Sequence, residues 1–353
     1  YSKFSSLKTG PKSRLLWLVD KLAALQAPGS ENLFLGLLRQ IKSSHFIRIL
    51  VANLIIIGGD YSIENTEFIK KLFQTFSNHK NWFLQQSQLI PYTIYSFLRI
   101  ISGNGIDLGL RKDMAVFCSN IIIERFKECS VIGRDLIRIL QEVSRMSEFD
   151  PVWTFLNQKS SSTGRGMTSE ESSSTELRKL LKVPSQKRFL SARLSPDMEL
   201  NLLFILNTVK YGTNHRRYYE WFSQEYLKVT DSDNLIVDII RYLIVAYHPP
   251  NSVLASSSVQ RWQIITWFLR QMKSNYSTAN AKLALFYDWL FYDPEVDNIM
   301  NIEPAILIIT KSAAVNPKIS CTMLEFLYLL RQDYKCYNLS IDKGIDRSML
   351  DIL

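Results

Sequence analysis

Apolar positions recur at the i, i+3, i+4 spacing of an amphipathic helix along most of the chain. The first such stripe is Leu15, Leu16, Leu18, Val19, Leu22 and Leu25, set between Pro11 and a Pro28-Gly29 break. The same alternation of apolar run and short polar break predicts helices over 33–41, 45–57, 64–76 and 81–89. Pro91, favoured in a first helical turn, predicts a helix with Ile94, Phe97, Leu98 and Ile101 on one face, broken at Gly103–Gly105. Over 112–149, Met114, Phe117, Cys118, Ile121 and Ile122 mark one helix face, and Ile132, Leu136, Ile139, Leu140 and Val143 mark another. Gly133 sits at the corner between them.

The pattern resumes after Ser195-Pro196-Asp197, which supplies a cap, a first-turn proline and an acid ahead of Leu202, Leu203, Ile205, Leu206 and Val209. Asp233 is placed to cap a helix holding Leu235, Ile236, Ile239, Ile240 and Leu243, which Pro249-Pro250 ends. Trp262, Ile265, Phe268 and Leu269 form the next stripe, and Met323, Phe326, Leu327 and Leu330 the last. Between them, 279–307 reads as a nearly all-apolar helix with Leu283, Phe286, Tyr287 and Leu290 at helical spacing. Asp293-Pro294 stops it, and Glu303-Pro304 opens a second helix. A helix apolar on almost every side must be covered on both flanks by other helices, and Asp288 within it requires a partner or solvent.

Helices that recur about every 15 to 20 residues fit helix-pair repeats of roughly 40 residues, each completing its core on the next. The predicted fold is therefore all-α, a superhelical stack of degenerate HEAT-like helix pairs, or α-solenoid. Residues 160–176 abandon the periodicity for serine, threonine, glycine and charge, a composition unable to bury enough surface to order itself. The organisation expected is a helical half over 1–159, a flexible insertion over 160–176, a second helical half over 177–333 and a tail over 334–353.

Composition supports this reading. At 353 residues and 46% hydrophobic content the chain has ample core, and only 13 glycines and 11 prolines leave few turn signals for an all-β alternative. A formal net charge of +9 favours contact with nucleic acid or acidic proteins. Cys118, Cys129, Cys321 and Cys336 lack the spacing of a metal site and read as reduced thiols of an intracellular protein. The apolar stretch over 50–59 is far shorter than the ~20 residues that span a bilayer, so no membrane association is expected. Tyr1 in place of an initiating methionine implies that the natural N-terminus lies upstream.

Catalytic patterns are missing from the sequence. His45, His79, His215 and His248 stand far apart, outside any HExxH, and neither GxSxG nor GxxxxGK[ST] occurs. Gly58-Gly59 and Gly164-Arg165-Gly166 follow no predicted strand, while Asp150, Asp293 and Asp297 sit at helix boundaries where acids cap or break helices. No catalytic, cofactor-binding or metal-ligating residue is nominated.

The densest basic-aromatic cluster is Lys210, Tyr211, His215, Arg216, Arg217, Tyr218, Tyr219 and Trp221. Its rings could stack on bases while its arginines meet phosphates. Alternatively, the i, i+3, i+4 spacing of Tyr218, Trp221 and Phe222 places them in the core, with Arg216 and Arg217 as ordinary surface cations. An acidic protein partner is a third reading. Lys210, Arg216, Arg217 and Tyr218 are the candidate partner or nucleic-acid surface.

The strings GRDLIRILQEVSRMSEF from Gly133, RFLSARLSPDMELNLLF from Arg188, YYEWFSQEYL from Tyr218, and ANAKLALFYDWLF with IMNIEPAIL from Ala279 resemble the Integrator complex subunit 3 family. Members of that family also serve as the large subunit of the SOSS single-stranded-DNA sensor. The resemblance runs from about Lys12 to Leu330; the insertion before Leu177 and the residues after Leu330 depart from the family pattern. It implies an α-helical scaffold without enzymatic activity or cofactor. Implied partners are an OB-fold single-stranded-DNA-binding protein, a small third SOSS subunit and other Integrator subunits. The implied setting is the nucleus, with the cytoplasm also open, in the DNA-damage response and in cleavage of nascent RNA. Nucleic acid would be met mainly through the OB-fold partner. Direct binding of single strands by the solenoid itself, through Arg216, Arg217 and Tyr218, is the alternative.

Overall fold

The computed structural model describes residues 63–103, 105–158, 175–212, 214–229 and 231–333, with isolated positions between 10 and 18. The helices predicted over 15–25, 33–41 and 45–57, the insertion at 160–174 and the tail after 333 lie outside the described residues. Every extended element described is a helix, and the chain is all-α. An isolated antiparallel bridge joins Lys210 to Ser258. Its contacts divide it into two compact units: Tyr1–Val183 with Ser191–Pro196 and Val229–Asp231, and Pro184–Leu190 with Asp197–Lys228 and Ser232–Leu353.

In the first unit the helices are α1 Ile63–Asn78, α2 Lys80–Leu84, α3 Leu89–Ser102, α4 Leu108–Glu124, α5 Phe126–Cys129, α6 Asp135–Glu142, α7 Asp150–Asn157 and α8 Glu176–Leu181. The predicted helix over 81–89 is split, because Gln85–Gln88 offers no apolar side chain to bury and the chain turns there before α3. α3 is the centre of this unit: every residue from Leu89 to Ile101 is buried, as its polar-poor sequence requires. It packs against α4 and α6. Phe73, Phe76, Phe83, Phe97 and Phe117 interlock edge-on or tilted across α1 to α4, with ring centroids 5.4 to 6.3 Å apart. Asp107 caps α4 by accepting from the backbone N–H of Gly109 at 2.9 Å and of Leu110 at 3.2 Å. Gly133 makes the predicted corner at φ 79°, a left-handed conformation suited to glycine.

The second unit carries α9 Lys187–Ser191, which reaches the unit boundary, then α10 Pro196–Thr208, α11 His215–Tyr226, α12 Ser232–Arg241, α13 Asn251–Leu254, α14 Arg261–Gln271, α15 Asn275–Leu290, α16 Glu303–Val315 and α17 Pro317–Asp333. α12 packs on α14 and α15, both of these pack on α16, and α16 packs on α17. This packing of each helix on others one to three places along the chain is consistent with a helical solenoid. α15 ends at Leu290, just ahead of the predicted Asp293-Pro294 stop, and α16 starts at Glu303 with Pro304 in its first turn, as predicted.

Asp233 does not cap its own helix. It stands in the first turn of α12 and accepts from the backbone N–H of Lys273, at 3.3 Å, and of Ser274, at 3.1 Å, immediately before α15. α12 does not run straight to Pro249 either: it widens into a π turn over Tyr242–Ala246, closed by the N–H of Tyr247 on the carbonyl of Tyr242 at 3.1 Å.

Candidate partner-binding surface

The candidate residues are placed by α10, α11 and the loop between them. That loop is pinned to the segment before α14: Tyr211 N–H donates to the Ser257 carbonyl and Val259 N–H to the Val209 carbonyl, each at 2.9 Å. Gly212 turns at φ 96°, and its N–H donates to His215 Nδ1 at 3.1 Å. Burial, followed by the nearby Arg216 charge, lowers the His215 pKa below its ordinary value, which keeps Nδ1 available as an acceptor. The Tyr211 ring lies 4.4 Å from the His215 ring.

On α11 the buried aromatic residues are Tyr219 and Phe222. Tyr219 packs on Trp267 and Phe222 on Phe268, both from α14, at 5.4 and 5.8 Å between centroids. Of the three residues that the core reading grouped, Phe222 is buried, while Tyr218 and Trp221 are 36% and 42% exposed, as the surface reading requires of Tyr218. Periodicity could not choose between the two faces: Tyr219, Phe222 and Tyr226 repeat at the same spacing, and the approach of α14 selects them. Below Trp221, the Tyr226 hydroxyl donates to Asp197 at 2.5 Å and accepts from Asn201 at 2.7 Å.

Two residues that periodicity did not single out complete this surface. Phe204, 45% exposed, meets the Tyr218 ring at 5.9 Å, and Leu200, 66% exposed, lies one turn before it on α10. The signal was in the sequence: Leu202, Ile205, Leu206 and Val209 already fill one buried face, so Leu200 and Phe204 exceed what that face holds. The structure brings Tyr218, Trp221 and Phe204 together, with Arg217 one turn before Trp221. Arg216, two residues from Tyr218, projects from a different side of the helix. Lys210 sits in the pinned loop, exposed. Arg216 and Arg217 form no ion pair or side-chain hydrogen bond among the described residues.

Elsewhere the polar chemistry is turned inward. Arg241 of α12 and Asp288 of α15, both fully buried, pair at 2.5 Å, and Arg241 also donates to the Ala284 carbonyl and to Ser185 Oγ. Asp288 thus meets the partner its apolar helix demanded. In the first unit, buried Arg138 bridges Asp135 at 2.8 Å and Glu142 at 2.6 Å, and the Tyr95 hydroxyl donates to Asp135. The Arg193 guanidinium lies 3.8 Å from the centroid of the Tyr95 ring.

His248 is held between Asn301, at 2.8 Å from Nε2, and Asn298, at 3.4 Å from Nδ1. Burial raises the thiol pKa of Cys118 and Cys129, the latter to about 12, so neither is a ready nucleophile. No group of His, Cys, Asp and Glu among the described residues could hold a metal ion. No described helix is long and apolar enough to cross a membrane.

Comparison with known proteins adds the family context. The family described as Integrator complex subunit 3 N-terminal matches residues 1–353, the tail after Leu330 included. Integrator complex subunit 3 of Danio rerio is 37% identical over 327 residues, covering 92% of this chain and 30% of that protein. The Homo sapiens protein of the same name is 36% identical over 328 residues, 92% of this chain and 29% of its own length. The Dictyostelium discoideum homolog is 37% identical over 332 residues, 92% of this chain and 20% of its own. The chain therefore spans less than a third of the length of these relatives.

Proposed function

The chain belongs to the Integrator complex subunit 3 family, and from that membership we propose that it acts as a non-catalytic helical scaffold within the Integrator complex. The observation that carries this reading is the family match along residues 1–353. The geometry supports it from the other side. The buried ion pairs link helices or brace one, as Arg241 to Asp288 and Arg138 to Asp135 do, and stacked helices offer the extended surface on which partners assemble.

In this reading the protein works in the nucleus, with a cytoplasmic pool also allowed, during 3′-end processing of RNA. It also nucleates a SOSS assembly in the DNA-damage response, holding an OB-fold single-stranded-DNA-binding protein and a small third subunit. The OB-fold partner supplies the main contact with DNA. Co-purification tests the proposal. The full 353-residue chain, co-expressed with a matching OB-fold protein and the small subunit, is expected to elute with both as one complex at low salt. Elution alone, together with failure to retain Integrator subunits from a nuclear extract, would remove the reading.

A further inference from the structure

We propose that residues 341–353 form an amphipathic helix that docks on the outer face of α17, against Cys321, Leu324 and Tyr328, and thereby caps the second unit.

α17 is packed on two of its sides. Ser320 donates to the Ile308 carbonyl of α16 at 3.3 Å, and Met323, Leu327 and Leu330 are buried on the same side. Phe326 stacks on Phe286 of α15, with centroids 6.0 Å apart. The third side is apolar and open among the described residues. Leu324 and Tyr328 are 40% and 60% exposed, Cys321 stands exposed one turn before Leu324, and Leu329, 48% exposed, flanks them. Glu325 borders this strip, and Gln332 closes its end with a hydrogen bond to the Tyr328 hydroxyl at 2.6 Å. The last helix of a stack needs a polar outer face. α17 instead carries the surface of an internal helix, which calls for a following element.

The chain itself supplies that element. Residues 334–353 continue directly from α17, lie outside the described residues and fall within the family match. Their sequence predicts a helix. Ser340 and Asp342 suit a cap and a first-turn acid, and Ile341, Ile345, Met349 and Ile352 recur at i, i+4, i+8 and i+11, with Lys343, Asp346, Arg347 and Asp351 off the stripe. Its shortness and Gly344 leave such a helix weak in isolation, so its formation depends on a surface to dock on.

The tether sets the direction. Residues 334–340 make a connection of the length that joins neighbouring antiparallel helices. The rise from Ile341 to Ile352 equals that from Leu329 back to Lys318, about 17 Å in each case. An antiparallel helix therefore sets Ile341 beside Leu329, Ile345 between Leu324 and Tyr328, and Met349 beside Cys321. A second copy or another protein would have to compete with a segment that its own short linker holds at millimolar effective concentration.

The test is covalent trapping in the full chain with Cys336 replaced by Ser; Cys118 and Cys129 are buried and do not compete. Under mild oxidation Met349→Cys is expected to form a disulfide with Cys321 within one monomer, identified by peptide mass after non-reducing digestion. Leu350→Cys, turned about 100° away on the same helix, should not. Without an added cysteine, Cys321 is expected to react with N-ethylmaleimide about tenfold more slowly than in Ile345→Asp/Ile352→Asp, where the stripe is broken. Ile345→Leu/Ile352→Leu should keep the protection. All these substitutions lie outside α1 to α17, and unchanged amide protection in α12 and α15 will show that each variant folds.

Equal trapping by the two cysteine variants would overturn the proposal, as would alkylation of Cys321 indifferent to the stripe. A Cys321 cross-link between two chains, with a mass that doubles as concentration rises, would assign the face to a second copy and equally overturn it. Each of these failures leaves the scaffold reading intact, because co-purification with protein subunits does not depend on this measurement.

Discussion

Asp288 shows how far a single residue can be read. A carboxylate inside the apolar run of α15 announces that it needs a counter-charge, but the partner, Arg241, lies 47 residues away and only the packing of α12 on α15 supplies it. Both side chains are fully buried, so removing one strands the other in a medium that cannot solvate it. Asp288→Asn is expected to cost about 3–5 kcal/mol in urea unfolding, and Arg241→Met a similar amount. The double replacement Arg241→Met/Asp288→Leu should recover most of that loss, because no uncompensated charge remains. The exposed pair of Lys70 and Glu67, 4.0 Å apart on α1, offers the contrast: breaking it is expected to change stability by less than about 1 kcal/mol. A double-mutant cycle that gave both pairs the same coupling would refute this ranking.

At the scale of elements, helix existence was legible and helix phase was not. The run over 64–76 and the stripes from Met114 to Ile122 and from Met323 to Leu330 fall within α1, α4 and α17. Phase failed where two faces had equal claims. On α11 Phe222 is buried as the core reading expected, but its buried companion is Tyr219 and not Tyr218 or Trp221, and at the start of α14 the buried residue is Arg261, with Trp262 only half-buried. A buried arginine cannot be deduced from hydrophobic periodicity, because what it satisfies is backbone elsewhere. Arg261 donates to the carbonyls of Leu243, Ile244 and Tyr247 at 3.0, 3.4 and 3.1 Å, groups at the π turn and helix end that lack ordinary helical partners. It also joins the Met300 carbonyl and Glu303 at the start of α16. One planar guanidinium therefore closes α12 and ties it to α16. Lysine has too few donors in the wrong arrangement, so Arg261→Lys is expected to lower the Tm and to speed amide exchange over 242–247 while α10 and α11 stay protected. Unchanged exchange in the π turn would refute that assignment of Arg261.

For the whole molecule, what the sequence conveyed best was kinship, carried by long strings such as 279–291 and not by any catalytic motif. It conveyed the candidate surface only in part, because exposure of Tyr218 and Phe204 depends on where α14 and the other helices pack. Proton binding is likewise a property of the assembled fold. His215 and His248 both have pKa values lowered chiefly by burial, each with a ring nitrogen placed to accept a hydrogen bond, from Gly212 N–H and from Asn298 respectively. The unfolded chain, with ordinary histidines near pH 6.5, binds protons that the folded chain refuses. Stability must therefore fall as pH drops through and below that value, and it stops falling from this source once the lowered folded values are passed. A second decline follows at lower pH. Glu128, whose pKa is lowered first by its hydrogen bond from Arg125, contributes stability above about pH 4.5 that is lost as the solution acidifies through its folded value. Urea unfolding at pH 7.0 and 5.5 separates the two stages, since only the histidines titrate between them. The wild-type chain is expected to be less stable at the lower pH, and His215→Gln/His248→Gln, which keeps an uncharged acceptor at both positions, should flatten the dependence. An equally steep loss in the double variant would place the proton uptake on other groups and leave the two loops without a role in acid sensitivity.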